Sequence, residues 1–104
     1  MVTIMDKIQL QKYIYLISQF LLGKIEGADF EKLFFQVRRE DPYLMESKFS
    51  PEVGKILDTF TLDANDYTIP ELYDPNDKYD IDEEEFKKRA KKTLEILESF
   101  INFE

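Results

Sequence analysis

The chain contains no cysteine and no histidine among its 104 residues. Without cysteine it can form neither a disulfide framework nor a thiolate metal site. Without either residue it cannot assemble a Ser-His or Cys-His nucleophile or the usual zinc-hydrolase centre. Carboxylate pairs remain available for acid–base chemistry, but nothing in the sequence selects one pair. The sequence therefore predicts a protein that is not an enzyme and that uses no cofactor.

Long apolar runs are also missing, since no stretch approaches the roughly 20 apolar residues that span a bilayer. The segment 1–11 lacks the basic region, apolar run and small-residue cleavage site of a secretory signal. We therefore expect a cytoplasmic protein without a membrane partner. A chain of 104 residues has room for one modest core, so we expect residues 1–104 to form a single domain.

Acidic side chains are abundant and are concentrated in one segment. The formal net charge of -8 opposes direct binding of nucleic acid and favours a cationic partner. Residues 63–85 hold ten acidic side chains and one lysine, whereas the rest of the chain holds 12 acidic and 13 basic side chains. Clustered like charges repel one another and steer oppositely charged partners. This segment is therefore a candidate binding surface for a basic protein.

Apolar residues recur at helical intervals in four stretches. The predicted helices cover about 6–22, 27–39, 51 to 62–65, and 80 or 82 to 102. Asp6 is the expected N-cap of the first helix, and Gly23 is its expected left-handed stop. Ser50 is the expected cap of the third helix, which has Pro51 at its first position. Pro42 discourages helix nearby, so the connection after the second helix holds at most one turn, through Tyr43–Met45.

Residues 63–81 contain Pro70 and Pro75 and show no regular apolar period. We therefore expect a long acidic loop between the third and fourth helices, a length at which loops are usually functional. Four amphipathic helices without a convincing strand predict an all-α fold, specifically an antiparallel four-helix bundle.

Three tyrosines, Tyr67, Tyr73 and Tyr79, are interleaved with the acids of this loop. Tyrosine is enriched at binding hot spots because it combines a large apolar area with a polar tip. The alternative is that each tyrosine pins the loop to the helices. The sequence leaves both interpretations open.

The acidic residues of this segment could alternatively form a calcium-binding site. Asp74, Asn76, Asp80, Asp82 and Glu85 fit positions 1, 3, 7, 9 and 12 of an EF-hand loop. Lys78 at position 5 cannot coordinate a cation, however, and Tyr79 stands where the turn requires glycine. We therefore expect no metal site here.

The last helix also carries a basic cluster between Lys87 and Lys92. The cluster follows three glutamates at distances that allow i,i+4 pairs, such as Glu83–Lys87 and Glu84–Lys88. Self-pairing on a solvated helix is the expected role, rather than binding of nucleic acid.

Several segments together resemble the immunity proteins of colicin D type, which protect bacteria from their own tRNA-cleaving toxins. The resemblance is carried by Leu22-Gly23-Lys24-Ile25, Asp29-Phe30-Glu31, Ser50-Pro51-Glu52-Val53, Ile56-Leu57-Asp58, and the run from Leu62 to Arg89. The last run is the most specific part and includes Pro70-Glu71-Leu72 and Ile81-Asp82-Glu83-Glu84. The sequence departs from the family pattern at Asn65 and at Thr68-Ile69.

The resemblance implies a small helical protein without enzymatic activity that binds the nuclease domain of a toxin over or near its active site. Similar immunity proteins serve contact-dependent inhibition systems, so the toxin need not be a colicin. The implied toxin contacts are Asp58, Asp63, Asp66, Tyr67, Glu71, Asp74, Asp77 and Asp80. An acidic regulator that mimics nucleic acid and binds a DNA-binding protein is the alternative, and a calcium-binding helical domain is a third possibility.

Overall fold

The computed structural model describes residues 2–77 and 80–102, and these residues form five helices. The helices are α1 (Ile4–Leu21), α2 (Gly27–Arg39), α3 (Pro42–Met45), α4 (Pro51–Asp66) and α5 (Glu83–Asn102). Within the described residues the only β-type pairing is an isolated parallel bridge between Tyr67 and Ile81. The all-α class is therefore confirmed. The short helix α3 is additional to the four long helices and corresponds to the single turn expected through Tyr43–Met45. The antiparallel order of the long helices stays a prediction.

Five phenylalanines join the four long helices at the centre of the core. They are Phe20 on α1, Phe30 and Phe34 on α2, Phe60 on α4 and Phe86 on α5, and all are completely buried. The other four ring centroids lie between 4.5 and 6.0 Å from that of Phe30. Contacts of this kind stabilise a core beyond the burial of apolar area alone. Around this centre, α5 packs against α1 and α4, and α2 packs against α1.

The first helix begins earlier than predicted, because its N-cap is Thr3 and not Asp6. The Thr3 hydroxyl accepts from the Asp6 backbone N–H, and the Asp6 carboxylate accepts from the Thr3 N–H in return. This reciprocal capping box places Asp6 at the third helical position. The predicted end is confirmed, since α1 stops at Leu21 and Gly23 adopts a φ of 78°.

Helix α4, which corresponds to the third predicted helix, extends to Asp66. The loop predicted over 63–81 therefore began too early. The buried face of α4 continues from Phe60 to Ala64, which is completely buried, and this contact carries the helix one turn further. Asp63 and Asp66 are consequently helical residues. Ser50 does occupy the N-cap position of α4, but its side chain makes no capping hydrogen bond.

The Ser50 hydroxyl instead donates to Asp6, one of two buried carboxylates that fix the connection between α2 and α4. Asp6 also accepts from the backbone N–H of Ser50 at 3.2 Å and from the Tyr43 hydroxyl at 2.6 Å. Asp41, the N-cap of α3, accepts from the hydroxyl of Tyr13 at 2.6 Å and pairs with Lys12 at 3.0 Å. Both carboxylates are fully satisfied by donors, which is the condition for burying them.

These contacts set the ionisation of the two carboxylates. Burial alone would raise the pKa of Asp6, but hydrogen bonds from Ser50, Tyr43 and Thr3 outweigh it and hold the pKa below its usual value of 3.8. Burial likewise opposes ionisation of Asp41, and hydrogen bonds from Tyr13 and Lys12 bring its pKa below 3.8. Both groups therefore bind a proton more readily in the unfolded chain than in the folded protein.

We expect the free energy of unfolding to decrease under acid conditions for this reason. The stabilisation by Asp6 and Asp41 is complete above the unfolded pKa near 3.8 and is lost as the pH falls through their lower folded pKa values. Urea denaturation at a series of pH values measures this directly. An Asp6→Asn variant lacks one of the two titrating groups, so its decline should be shallower. Equal slopes for the two proteins would contradict the assignment.

Candidate protein-binding surface

The acidic loop between α4 and α5 is tied to the core at its base. The Thr68 N–H donates to the Ile81 carbonyl at 3.0 Å, and the Ile81 N–H donates to the Asp66 carbonyl at 3.1 Å. Tyr67 and Ile81 are both buried, and the Tyr67 ring stacks on Phe86 with centroids 4.9 Å apart. Tyr67 therefore pins the loop to the helices, which is one of the two roles considered for it.

Beyond this base, the loop presents acidic side chains to solvent. Asp74 and Asp77 are exposed, and Leu72 is 71% exposed. One Asp74 oxygen accepts from the Asn76 N–H at 2.9 Å, and the Asp74 N–H donates to Asp80 at 3.3 Å. The loop is thus shaped partly by its own carboxylates. Lys78 and Tyr79, which belong to the EF-hand pattern and to the predicted loop, lie outside the described residues.

A shallow depression lies beside the start of α5. It is lined by four carboxylates, one lysine, one isoleucine and the half-buried ring of a tyrosine. These residues are Asp80, Asp82, Glu84, Glu85, Lys88, Ile81 and Tyr73. Its volume is about 320 Å³. Asp82 also caps α5, because its carboxylate accepts from the Glu85 N–H at 2.9 Å. Asp82 thus provides the cap that the sequence predicted at Asp80 or Asp82.

A larger concavity, the Tyr67 groove, lies where the start of α2 meets the loop and the start of α5. Its lining residues come from all three places and are Glu26, Gly27, Ala28, Tyr67, Ile69, Pro70, Glu71 and Glu83. The groove has a volume of about 460 Å³. Its opposite walls are joined by a hydrogen bond from the Gly27 N–H to the Glu83 carboxylate at 2.8 Å.

The Tyr67 hydroxyl lies in a strongly negative environment. Burial raises the pKa of this hydroxyl, and the carboxylates of Glu83, Glu31, Glu71 and Glu26 raise it further. The pKa of Glu31 is itself raised by burial, against the opposing effect of Lys32. Two glutamates from the start of α2 thus join two from the acidic segment around one phenol.

Glycine is required at position 27 because the groove walls approach its α-carbon closely. A Cβ atom there would stand 2.7 Å from a Glu83 oxygen and 2.7 Å from the Tyr67 hydroxyl, closer than real Cβ contacts. The Tyr67 ring is held against Phe86 and cannot retreat freely. Gly54, inside α4, is the opposite case, since a Cβ there would meet nothing within 4 Å.

We predict that the two glycine-to-alanine substitutions have opposite effects. Gly27→Ala should lower the free energy of unfolding by about 1–3 kcal/mol through overpacking. Gly54→Ala should raise it by about 0.5–1 kcal/mol, because alanine favours an unobstructed helix interior. Thermal and urea denaturation of both variants check the signs. A stabilising Gly27→Ala would show that the groove walls yield easily.

The structure divides the predicted contact residues into three groups. Asp58 and Asp63 are ion-paired within the protein, with Arg38 at 3.4 Å and with Arg89 at 2.9 Å. The Asp63 side chain is only 19% exposed, whereas that of Asp58 is 70% exposed. Asp58 also lies roughly 12 Å along α4 from Asp66, given the helical rise of 1.5 Å per residue.

Of the remaining predicted contacts, Tyr67 is buried at the groove, and Asp66 ends α4 beside it. The last four, Glu71, Asp74, Asp77 and Asp80, all belong to the loop. The structure therefore brings together the loop residues and leaves Asp58 apart. Their role as toxin contacts stays a prediction.

Sequence reasoning missed two glutamates: Glu26 lines the groove, and the charge of Glu31 acts on the Tyr67 hydroxyl. They lie 41 and 36 positions before Tyr67, so local charge counting could not connect them to the loop. The sequence signal that could have located the groove was Gly27 at the start of a helix. A glycine that is not needed for a turn indicates that another segment approaches the backbone closely there.

The basic cluster of α5 pairs with the preceding glutamates once, whereas the example pairs Glu83–Lys87 and Glu84–Lys88 do not form within the described residues. The ion pair formed along this helix in the described residues is Glu85–Arg89, at 3.0 Å. Glu83 is engaged by the Gly27 N–H, and the Lys87 ammonium lies 5.6 Å from the centre of the Phe20 ring. Arg89 additionally pairs with Asp63 and so fastens α5 to α4.

No group of three or more acidic side chains within 2–77 and 80–102 has the geometry to hold a metal ion. No helix in that part of the chain is long and apolar enough to cross a bilayer.

Comparison with known protein families gives a match that spans most of the chain. A family model described as bacterial self-protective colicin-like immunity matches residues 8–97. This range includes the groove, the loop and the helix starts on either side of them. Neither the curated proteins nor the solved structures contain a match.

Proposed function

The chain belongs to the family of bacterial self-protective colicin-like immunity proteins, and we propose that the toxin it binds is a nuclease. The toxin is in particular one that cleaves tRNA, as the resemblance to the colicin D type implies. In this proposal the acidic surface of the immunity protein occupies the basic cleft through which the nuclease holds RNA. Inhibition then results from binding alone and requires no catalysis by the immunity protein.

The observation that carries the proposal is a set of exposed acidic side chains on a loop whose two ends pack against the core. Glu71, Asp74 and Asp82 are exposed, and none of them forms an ion pair with a basic side chain in the described residues. Tyr67 and Ile81 hold both ends of the loop against the core, so the charges lie on a fixed base. Such a surface leaves its carboxylates available to the lysines and arginines of a partner.

Electrostatics explains why this arrangement suits a nuclease. A cleft that binds RNA phosphates is lined with cationic side chains, and the same side chains attract clustered carboxylates. Complementary potentials accelerate the encounter and exclude partners of the wrong charge. Once docked, the acidic loop and the RNA backbone compete for the same cations.

The proposal is tested with the purified domain of the cognate toxin and with tRNA as its substrate. An equimolar amount of the immunity protein should abolish tRNA cleavage, and the Kd of the complex should rise steeply with salt. A complex whose affinity is insensitive to salt would contradict an electrostatic mechanism. A toxin domain that binds tightly but leaves tRNA intact in the absence of its inhibitor would contradict the nuclease assignment.

A further inference from the structure

The Tyr67 groove contains a phenol hydroxyl that has no hydrogen-bond partner within the described residues. Tyr67 is only 7% exposed, yet its hydroxyl makes no hydrogen bond with any residue in 2–77 or 80–102. The hydroxyl stands at the groove wall, beside Gly27. The ring of Tyr67 is packed against Phe86, so the hydroxyl is the part of this side chain that reaches the groove surface. This phenol is therefore positioned to bond to something that enters the groove.

The surroundings define the chemistry of what could enter. Three carboxylates, those of Glu26, Glu71 and Glu83, line the groove around the hydroxyl. One oxygen of Glu83 accepts a hydrogen bond from the Gly27 N–H. A carboxylate retains further acceptor sites after one such bond. A phenol oxygen and carboxylates together offer acceptors to a group that carries several N–H donors.

The rest of the lining suits an aliphatic stem. Ala28, Ile69 and Pro70 supply apolar surface within the same concavity. Lysine and arginine combine a chain of methylenes with a cationic head, and they commonly bury the stem while the head finds acceptors. The volume of about 460 Å³ is ample for one such side chain.

From these observations we infer that the Tyr67 groove receives a single lysine or arginine side chain of the toxin. This inference rests on the proposed function, because the side chain is supplied by the toxin that the acidic surface attracts. The loop carboxylates steer the encounter over a distance, whereas the groove captures one residue at close range. The groove is thus a specificity pocket within a broader electrostatic surface.

The first test uses a small probe and does not depend on the toxin. In two-dimensional amide NMR spectra, N-acetyl-arginine methylamide or its lysine counterpart should shift the Gly27, Ala28 and Tyr67 signals. The neutral norleucine counterpart should not shift them. Glu71→Gln should reduce the shifts, whereas Glu98→Gln, on exposed α5 surface, should leave them unchanged. Shifts spread evenly over all exposed acids, or none at the groove, would overturn the inference.

The second test measures the Kd for the purified toxin domain. Tyr67→Phe keeps the ring stacked on Phe86 and removes only the hydroxyl, so the fold should persist while the Kd increases about tenfold. Tyr15→Phe, at a tyrosine that is 66% exposed on α1, is the matched control and should leave the Kd unchanged.

The outcomes separate the inference from the function on which it rests. If Tyr67→Phe binds as tightly as the native chain while reversal of loop charges weakens binding, the groove does not receive a side chain and the proposed function stands. If the native chain does not bind the toxin domain, the proposed function fails. Groove-localised NMR shifts together with a weakened Tyr67→Phe complex support the inference in full.

Discussion

Replacing Asp6 by alanine is expected to lower the free energy of unfolding by about 3–5 kcal/mol. The Asp6 side chain is completely buried and accepts hydrogen bonds from Thr3, Tyr43 and Ser50. Alanine would leave these donors facing a cavity, and the hydroxyl and N–H of Ser50 are themselves buried. Because a domain of this size has a total stability of roughly 5–15 kcal/mol, the variant should be close to its folding threshold.

Urea denaturation at neutral pH measures this effect. Glu95→Ala is the control, because Glu95 is exposed on α5 and its loss should change stability by no more than about 0.5 kcal/mol. A loss below about 1 kcal/mol for Asp6→Ala would show that the donors find water or new partners. The buried network would then be incidental to the position of α3.

The second large effect is expected at the binding surface. Reversing two loop charges, Glu71→Lys with Asp74→Lys, should weaken toxin binding at least about a hundredfold, since like charges would replace attraction in a basic cleft. Both side chains are exposed, so the fold should tolerate the changes. Asp63 is unsuitable for this test because it pairs with Arg89 between α4 and α5. Its reversal would combine a loss of stability with a loss of binding.

The matched control reverses the same amount of charge elsewhere. Glu95→Lys with Glu98→Lys changes the net charge equally on exposed positions of α5 that lie beyond its first three turns. Surface plasmon resonance should show a reduced association rate for the loop variant and little change for the control. Equal losses in both variants would mean that net charge, and not the loop, governs binding.

The helices were predictable because their signals are local. Apolar spacing located all four long helices to within a few residues, and Gly23 marked the end of α1 as expected. Errors arose where a cap competed with a tertiary contact. Asp6 and Ser50 both have good capping chemistry, but their side chains bond to each other across the core, and Thr3 caps α1 instead.

The candidate surface was only partly predictable. Charge counting identified the acidic segment, but it could not show that Asp63 faces Arg89 or that Tyr67 is buried against Phe86. Both facts depend on how α5 packs against α4, which is a property of the tertiary fold. The groove could likewise be predicted only by knowing that α2 contacts the loop. Gly27 was the one local sequence feature that indicated this contact.

The central claim is that the toxin contacts the acidic loop and the Tyr67 groove, and amide hydrogen exchange with and without the toxin domain tests it most directly. The account predicts slower exchange on binding at residues 26–28 and 68–77 and at the start of α5. It predicts no change along the exposed apolar side of α1, where Ile4, Ile8 and Tyr15 face solvent. Protection confined to that side of α1, with the loop and groove unchanged, would contradict it.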